Sequence, residues 1–146
     1  MERLNQRRAQ LEQALASLER VLVIFKELGQ GKGCCANAVD REEEYRIHRD
    51  SVIQRFEYCI DLLWKYLKLY LAQKGVVLDI NVAGEAVRQA CAAKIVTEPE
   101  AEQLLAMIKS RNMTSHIYIE AIAQQLAVDV PRYYHVMFGI IKRLVL

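Results

Sequence analysis

The sequence predicts an all-α fold, an up-and-down bundle of about five helices with the last one kinked at a proline. Three observations carry that expectation. Residues 50–74 place Ile53, Phe56, Ile60, Leu63, Leu67 and Tyr70 at alternating steps of three and four, which keeps them on one helical stripe. Val52, Cys59, Leu62, Tyr66 and Leu69 form a second apolar stripe, and Gln54, Glu57, Asp61, Lys65 and Lys68 a narrow polar one. A cylinder so apolar is a helix buried on most sides, the central column of the bundle. Finally, the 146 residues contain only two prolines and six glycines, few for a β fold. The length suits a single domain over 1–146 with a sizeable core.

The first helix is expected over 2–28, where Leu4, Leu11, Leu15, Leu18, Leu22 and Phe25 keep heptad-like spacing and Gly29 follows as a stop. Residues 29–45 read as a flexible connection: glycines break the pattern, and the charge run 41–49 is a solvated approach to the central helix. Gly75 ends that helix. Residues 76–81 are a short extended connection, too isolated to build a sheet. A shorter helix spans about 83–94, with Val87, Ala90 and Cys91 inward. Thr97 and Glu100 form a capping box, with Pro99 tolerated in the first turn, and open a helix reaching about Ser110 with Ala101, Leu104, Leu105 and Ile108 inward. A last helix carries Ile119, Ile122, Leu126 and Val130, is kinked or restarted at Pro131, and continues through Tyr134, Met137, Phe138 and Ile141.

Composition narrows the function. The net charge of +2 lacks the basic excess of a general nucleic-acid binder. No stretch approaches the apolar length of a membrane span, and the N-terminus never enters the apolar run of a signal peptide, so the expected compartment is the cytoplasm. The four cysteines include no Cys-x-x-Cys pair and have no metal-ligand spacing to His48, His116 or His135. Reduced structural thiols, no metal and no cofactor are expected. The segment Gly31-Lys32-Gly33 superficially suggests a phosphate loop, but Lys26 stands where the leading glycine belongs.

Residues 111–118 concentrate the remaining chemistry. Arg111 and His116 are five apart, about 140° around a continuous helix, which would point them in different directions. Thr114 and Ser115 are natural N-caps, so a helix break is expected here, with Arg111 ending one helix and His116 in the first turn of the next. Free amides and the positive dipole end would then favour a phosphate, with Thr114 and Ser115 in support. Arginine holds phosphate bidentately, histidine moves protons near neutral pH, and Tyr118 adds a hydroxyl. An Arg-x4-His pair is a weak pattern alone. The structural alternative has Arg111 paired with an acid, Asn112 and Ser115 capping helices, and His116 as an interfacial histidine.

Three stretches together resemble the nucleotidyltransferase substrate-binding family of the HEPN superfamily. They are Arg49-Asp50-Ser51-Val52-Ile53-Gln54-Arg55-Phe56-Glu57, Leu63-Trp64-Lys65-Tyr66-Leu67-Lys68 and Arg111-Asn112-Met113-Thr114-Ser115-His116-Ile117-Tyr118. The last matches the Arg-x4-His-x-Tyr form of the HepT-like toxins. The resemblance implies a HEPN-like bundle that forms a homodimer and pairs with a minimal, MntA-like nucleotidyltransferase, as a substrate-binding subunit in a toxin–antitoxin-like system. It implies, as the alternative, a metal-independent endoribonuclease with a composite site at the dimer interface. Arg111 and His116 would then be catalytic, with Asn112 as the polar residue following the arginine. Tyr118 would receive AMP from the partner. Nucleotide or RNA is the implied ligand. Phe56, Trp64 and Arg55 are the candidates for the dimer interface. Ahead of the third helix Val82-Ala83-Gly84-Glu85 departs from the Ser-Pro of relatives. The Gly-Ser and paired-aspartate signature of a nucleotidyltransferase is lacking.

Overall fold

A computed structural model describes residues 2–33, 37–116 and 119–144 of the chain, with the backbone alone at 114–116. Its elements are α1 (Glu2–Gly29), α2 (Ala38–Gln73), α3 (Ala83–Ala92), α4 (Glu98–His116) and α5 (Glu120–Arg143). No strand occurs among the described residues. α2 packs against each of the other four helices, while α1 also meets α5, and α4 lies between α3 and α5. The doubly apolar pattern of 50–74 therefore has the expected cause. Both stripes are covered: Val52, Phe56, Cys59, Leu63, Tyr66 and Leu67 are fully buried in one continuous core. Burial pushes the Cys59 thiol up to about 12, so it stays protonated and structural. No helix among the described residues is long and apolar enough to cross a membrane.

The expected flexible connection over 29–45 is much shorter. Gly29 still belongs to α1, and the charge run is helical, since α2 begins at Ala38. Three interactions explain why a polar stretch folds. Asn37, an N-cap in extended conformation, accepts a hydrogen bond from the Asp40 amide at 2.8 Å. Arg46 pairs with Glu42 one turn back at 2.8 Å. Tyr45 packs its ring on Phe25 of α1, with centroids 4.9 Å apart, and accepts from Gln124 Nε2 at 2.8 Å.

Three helices end alike. After α1, Gly31 (φ +81°) donates to Leu28 O at 3.0 Å and Lys32 to Glu27 O at 3.1 Å. Gly75 (φ +84°) and Val76 close α2 in the same way, through Ala72 and Leu71 carbonyls. These are Schellman motifs, so the stop of α1 is Gly31 rather than Gly29. α3 ends with the same pair of bonds, but its left-handed residue is Lys94 (φ +61°), exposed and without the freedom of glycine. Lys94→Gly is therefore expected to stabilise the protein by about 0.5–1 kcal/mol, the relief of the left-handed Cβ less the entropy glycine adds to the unfolded chain. A rise in the urea midpoint with unchanged m checks it; a fall refutes it.

The last helix does not restart at Pro131. α5 runs helical from Glu120 to Arg143 through it. Its buried face is Leu126, Val130, Tyr134, Met137 and Ile141, as expected, joined by Ala123 and Tyr133, whereas Ile119 and Phe138 are exposed.

The two chain ends are tied together. Arg8 of α1 donates to the carbonyls of Ile141, at 2.8 Å, and Leu144, capping α5, and to the Tyr66 hydroxyl at 3.3 Å. Tyr134 donates to Glu19 at 3.1 Å, a second tie between α5 and α1.

Candidate functional site

α4 is the helix that carries Arg111, and its start is fixed twice. The expected capping box is present: the Thr97 amide donates to Glu100 Oε1 at 2.8 Å, and the Glu100 amide to Thr97 Oγ1 at 3.3 Å. Glu100 also receives Arg143 from the end of α5, at 2.7 and 2.9 Å. That guanidinium is the main reason the Glu100 carboxyl lies below the ordinary glutamate range. A depressed folded pKa contributes stability above the unfolded value and loses it as pH falls through the folded one. Glu100→Gln keeps a capping acceptor and loses the charge, so it is expected to cost about 1 kcal/mol at pH 7. The gap to wild type should close below about pH 4. Urea titrations at both pH values check this, and a gap independent of pH refutes it.

The expected break between Arg111 and His116 is not there. α4 continues unbroken to His116, so these residues occupy the C-terminal part of one helix. Their amides serve the helix ladder, and the dipole end nearest them is the negative one. Thr114 and Ser115 thus do not start a helix. α5 begins with Ile119 as an N-cap without a side-chain acceptor, and Glu120 occupies its first turn. The helix-terminus phosphate setting is withdrawn with the break. The side chains of Thr114, Ser115 and His116, and Tyr118 as a whole, lie outside the described residues.

Arg111 projects from α4 onto the polar stripe of α2. Its Nη1 is 3.2 Å from Glu57 Oε2, and its Nη2 is 3.3 Å from Asp61 Oδ2, with Nε at 3.4 Å from the same oxygen. The expectation that Arg111 pairs with an acid is met twice over. Glu57 and Asp61 are one turn apart on α2, so the helix repeat presents both to one guanidinium. Hydrogen bonding to Asp61, reinforced by Glu57, raises the guanidinium above its already high pKa. Even with both carboxylates on it, Arg111 keeps 30% of its side chain exposed.

That exposure opens on a cleft of about 590 Å³. Ile60, Asp61 and Trp64 line it from α2, residues 81–84 from the turn into α3, and Ile108, Arg111 and Asn112 from α4. Asn112 is exposed at the rim, and Trp64 is half-buried in the wall. The structure thus gathers three of the residues singled out from sequence: Arg111, Asn112 and Trp64. Asp61 and Glu57 were missed as site residues. Their signal was the regular spacing of the polar stripe, which is equally that of a solvated face.

The other two interface candidates fall elsewhere. Phe56 is 0% exposed within the single chain and stacks on Tyr133 with centroids 5.6 Å apart. It is core, and its assignment to a dimer interface is withdrawn. Arg55 is half-buried at another groove, where Nη1 donates to Ser17 O at 3.1 Å and Ser17 Oγ at 3.0 Å, binding α2 to α1.

Spacing alone leaves the partner of Arg49 undecided among Glu43, Glu44 and Glu57. It is the one buried charged residue among those described, 1% exposed, and it bonds Asp50 Oδ1 at 3.1 Å and Glu120 Oε2 at 3.3 Å. Arg46 adds a contact to Glu120 at 3.8 Å. Two cations of the α2 charge run thus anchor the first residue of α5, immediately after the segment that holds Tyr118.

The family described as nucleotidyltransferase substrate binding protein like matches residues 6–145 of the chain. Comparison with curated proteins gave no match. Among solved structures, a Thermus thermophilus protein is 28% identical, with 86% of this chain and 97% of that one covered, at a TM-score of 0.61. A tri-AMPylated Shewanella oneidensis HEPN toxin in complex with an MNT antitoxin is 16% identical over 90% and 93% of the two chains, at 0.65. A toxin–antitoxin complex with AMP-PNP is 15% identical over 90% and 93%, at 0.64. At such identities the last two similarities establish a shared fold, the HEPN-like all-α bundle.

Proposed function

The chain belongs to the nucleotidyltransferase substrate-binding family, and on that premise we propose that it is the HEPN-type partner subunit of a minimal nucleotidyltransferase in a toxin–antitoxin-like pair. The observation that carries the reading is the family match from residue 6 to residue 145, which takes in every helix of the bundle. A fold shared with a HEPN toxin solved in complex with an MNT antitoxin supports it. In this reading the protein is a homodimer, the transferase docks on it, and Tyr118 receives AMP from ATP, its phenolic oxygen attacking the α-phosphate and releasing pyrophosphate. Co-expression with the minimal nucleotidyltransferase of the same genome tests it. Wild type should co-purify and gain the mass of AMP, and Tyr118→Phe should co-purify unmodified. A chain that neither binds the transferase nor is modified overturns it.

A second activity is compatible and has its own support. Arg111 is aimed into an open cleft, and on the unbroken α4 the backbone positions of Arg111 and His116 lie about 140° apart. One phosphate reaching both groups is more easily met by helices from two protomers than by one. The reaction would be metal-independent RNA cleavage. The 2′-hydroxyl attacks the adjacent phosphorus, Arg111 offsets the charge that builds on the phosphoryl oxygens, and His116 moves protons. The products are a 2′,3′-cyclic phosphate and a 5′-hydroxyl. Transfer of AMP to Tyr118, two residues beyond His116, would place an anionic phosphodiester beside this site and silence it.

A further inference from the structure

We propose that the groove between α1 and α2 holds a backbone phosphate of single-stranded RNA, with Arg55 as the anion ligand and Tyr58 as the platform for a neighbouring base. The inference rests on the RNA-handling reading and adds to it a contact away from the Arg111 cleft. The groove, of about 460 Å³, is lined by Gln10, Gln13 and Ser17 of α1 and by Gln54, Arg55 and Tyr58 of α2. Arg55 is half-buried there and crosses to α1, where its Nη1 is spent on the carbonyl and hydroxyl oxygens of Ser17. Its Nε and Nη2 have no partner among the described residues. That leaves open the side of the guanidinium that forks onto two oxygens.

No carboxylate offsets this cation. Every other arginine that bonds across helices among the described residues, from Arg8 to Arg143, also holds a carboxylate. The nearest acids along the two helices are committed elsewhere: Glu12 to Arg8, Glu19 to Tyr134, Asp50 to Arg49, and Glu57 and Asp61 to Arg111 on the other flank of α2. A positive charge partly withdrawn from water and unpaired by protein favours an anionic ligand. The neutral lining says which one. Carboxamides and hydroxyls reach the groove from both helices, which suits the several acceptor oxygens of a phosphate, whereas one fork already satisfies a carboxylate. Tyr58, one turn from Arg55, is 58% exposed, so its ring is free to stack an unpaired base. Lys65 lies two turns beyond Tyr58 on the exposed side of α2, with its ammonium 5.9 Å from the centre of the Trp64 ring. It supplies a further cation on the way to the Arg111 cleft, which Trp64 lines. The helix repeat sets Arg55 and Asp61 about 9 Å apart along α2, so one strand crossing this face meets both arginines. The scissile phosphate then lies on Arg111 and another phosphate of the same strand on Arg55.

Binding is measured on purified full-length protein by the anisotropy of a labelled 2′-O-methyl oligouridylate, which lacks the attacking hydroxyl and is not cleaved. Arg55→Gln keeps a donor for Ser17 and should weaken binding about tenfold. The slope of log affinity against log salt should become shallower by about 0.7, the share of one phosphate contact on a single strand. Arg55→Lys should restore the slope and part of the affinity. Loss of the α1–α2 tie alone would lower the urea midpoint and leave the salt slope of the folded protein unchanged. Tyr58→Ala is an exposed change that keeps this tie. It should cost about fivefold or more in affinity without altering the slope, and Tyr58→Phe should stay within about twofold of wild type. Wild type that fails to bind the oligonucleotide overturns the proposal, as does an Arg55→Gln protein with wild-type affinity and slope. If Arg55→Gln instead weakens self-association or transferase binding and spares the oligonucleotide, the groove takes a protein carboxylate and the proposal falls. The two readings separate on cleavable RNA in EDTA. Cleavage with a KM indifferent to Arg55→Gln refutes the groove and leaves the ribonuclease reading standing. Arg55-dependent binding without any cleavage supports the groove and removes the ribonuclease.

Discussion

Arg111→Ala is expected to lower cleavage of single-stranded RNA by about 10²–10³-fold, with Arg111→Lys recovering little of it. In RNA self-cleavage by the 2′-hydroxyl, negative charge accumulates on the non-bridging oxygens, and a planar guanidinium can donate to two of them at once. A lysine supplies a point charge and cannot reproduce that fork. It also loses the geometry that fixes this side chain, since Glu57 and Asp61 bind separate nitrogens of Arg111, at 3.2 and 3.3 Å. The experiment uses partner-free protein in EDTA, with RNA ends mapped for cyclic phosphate. His116→Ala is the second arm and should be equally inactive, because phosphate stabilisation and proton transfer act in one step. Wild-type cleavage that survives either substitution would remove these residues from the active site. If wild type leaves RNA intact while Tyr118 is unmodified, the chain is a partner subunit alone.

The helices were legible in the sequence because burial writes itself as periodicity. α2 shows this best: its two apolar stripes are covered by four different neighbours, and the residues assigned inward from spacing are inward. Periodicity fails where helix is maintained by other means. The charge run 41–49 has no continuous apolar stripe, and it folds through the Asn37 cap, the Arg46–Glu42 pair and the insertion of Arg49 between α2 and α5. Such a tertiary anchor has no local signature. Thr114 and Ser115 misled in the opposite direction. Cap-forming residues suggest a boundary, but α4 continues past both, and the boundary falls after His116. The site was half legible. Arg111 is marked by its motif and by the prospect of an acidic partner, whereas choosing Glu57 and Asp61 requires knowing which face of α2 meets α4.

Phe56→Ala is expected to destabilise the monomer by about 3–5 kcal/mol, a large part of what a domain of this size possesses. The phenyl ring is wholly excluded from solvent at the crossing of α2 with α5, where it stacks on Tyr133. Tyr133 is itself covered on its outer side by Arg132, whose guanidinium carbon sits 5.1 Å from the ring centre. Truncation removes the transfer energy of the ring and leaves a cavity that two long helices, tied by Arg49–Glu120 at the start of α5 and bridged by Arg8 at its end, cannot easily close. Urea denaturation should show a midpoint lowered, relative to wild type at the same concentration, by an amount independent of protein concentration. That independence is the decisive feature. A residue of a dimer interface would instead weaken association of the two copies, raising the dissociation constant of the dimer. Trp64, half-buried at the cleft wall, is the contrasting position: Trp64→Ala removes far less packing and should cost about 1–2 kcal/mol. If Phe56→Ala instead left the midpoint unchanged and shifted only the oligomeric state, Phe56 would lie between subunits and the α2–α5 contact would be wrong.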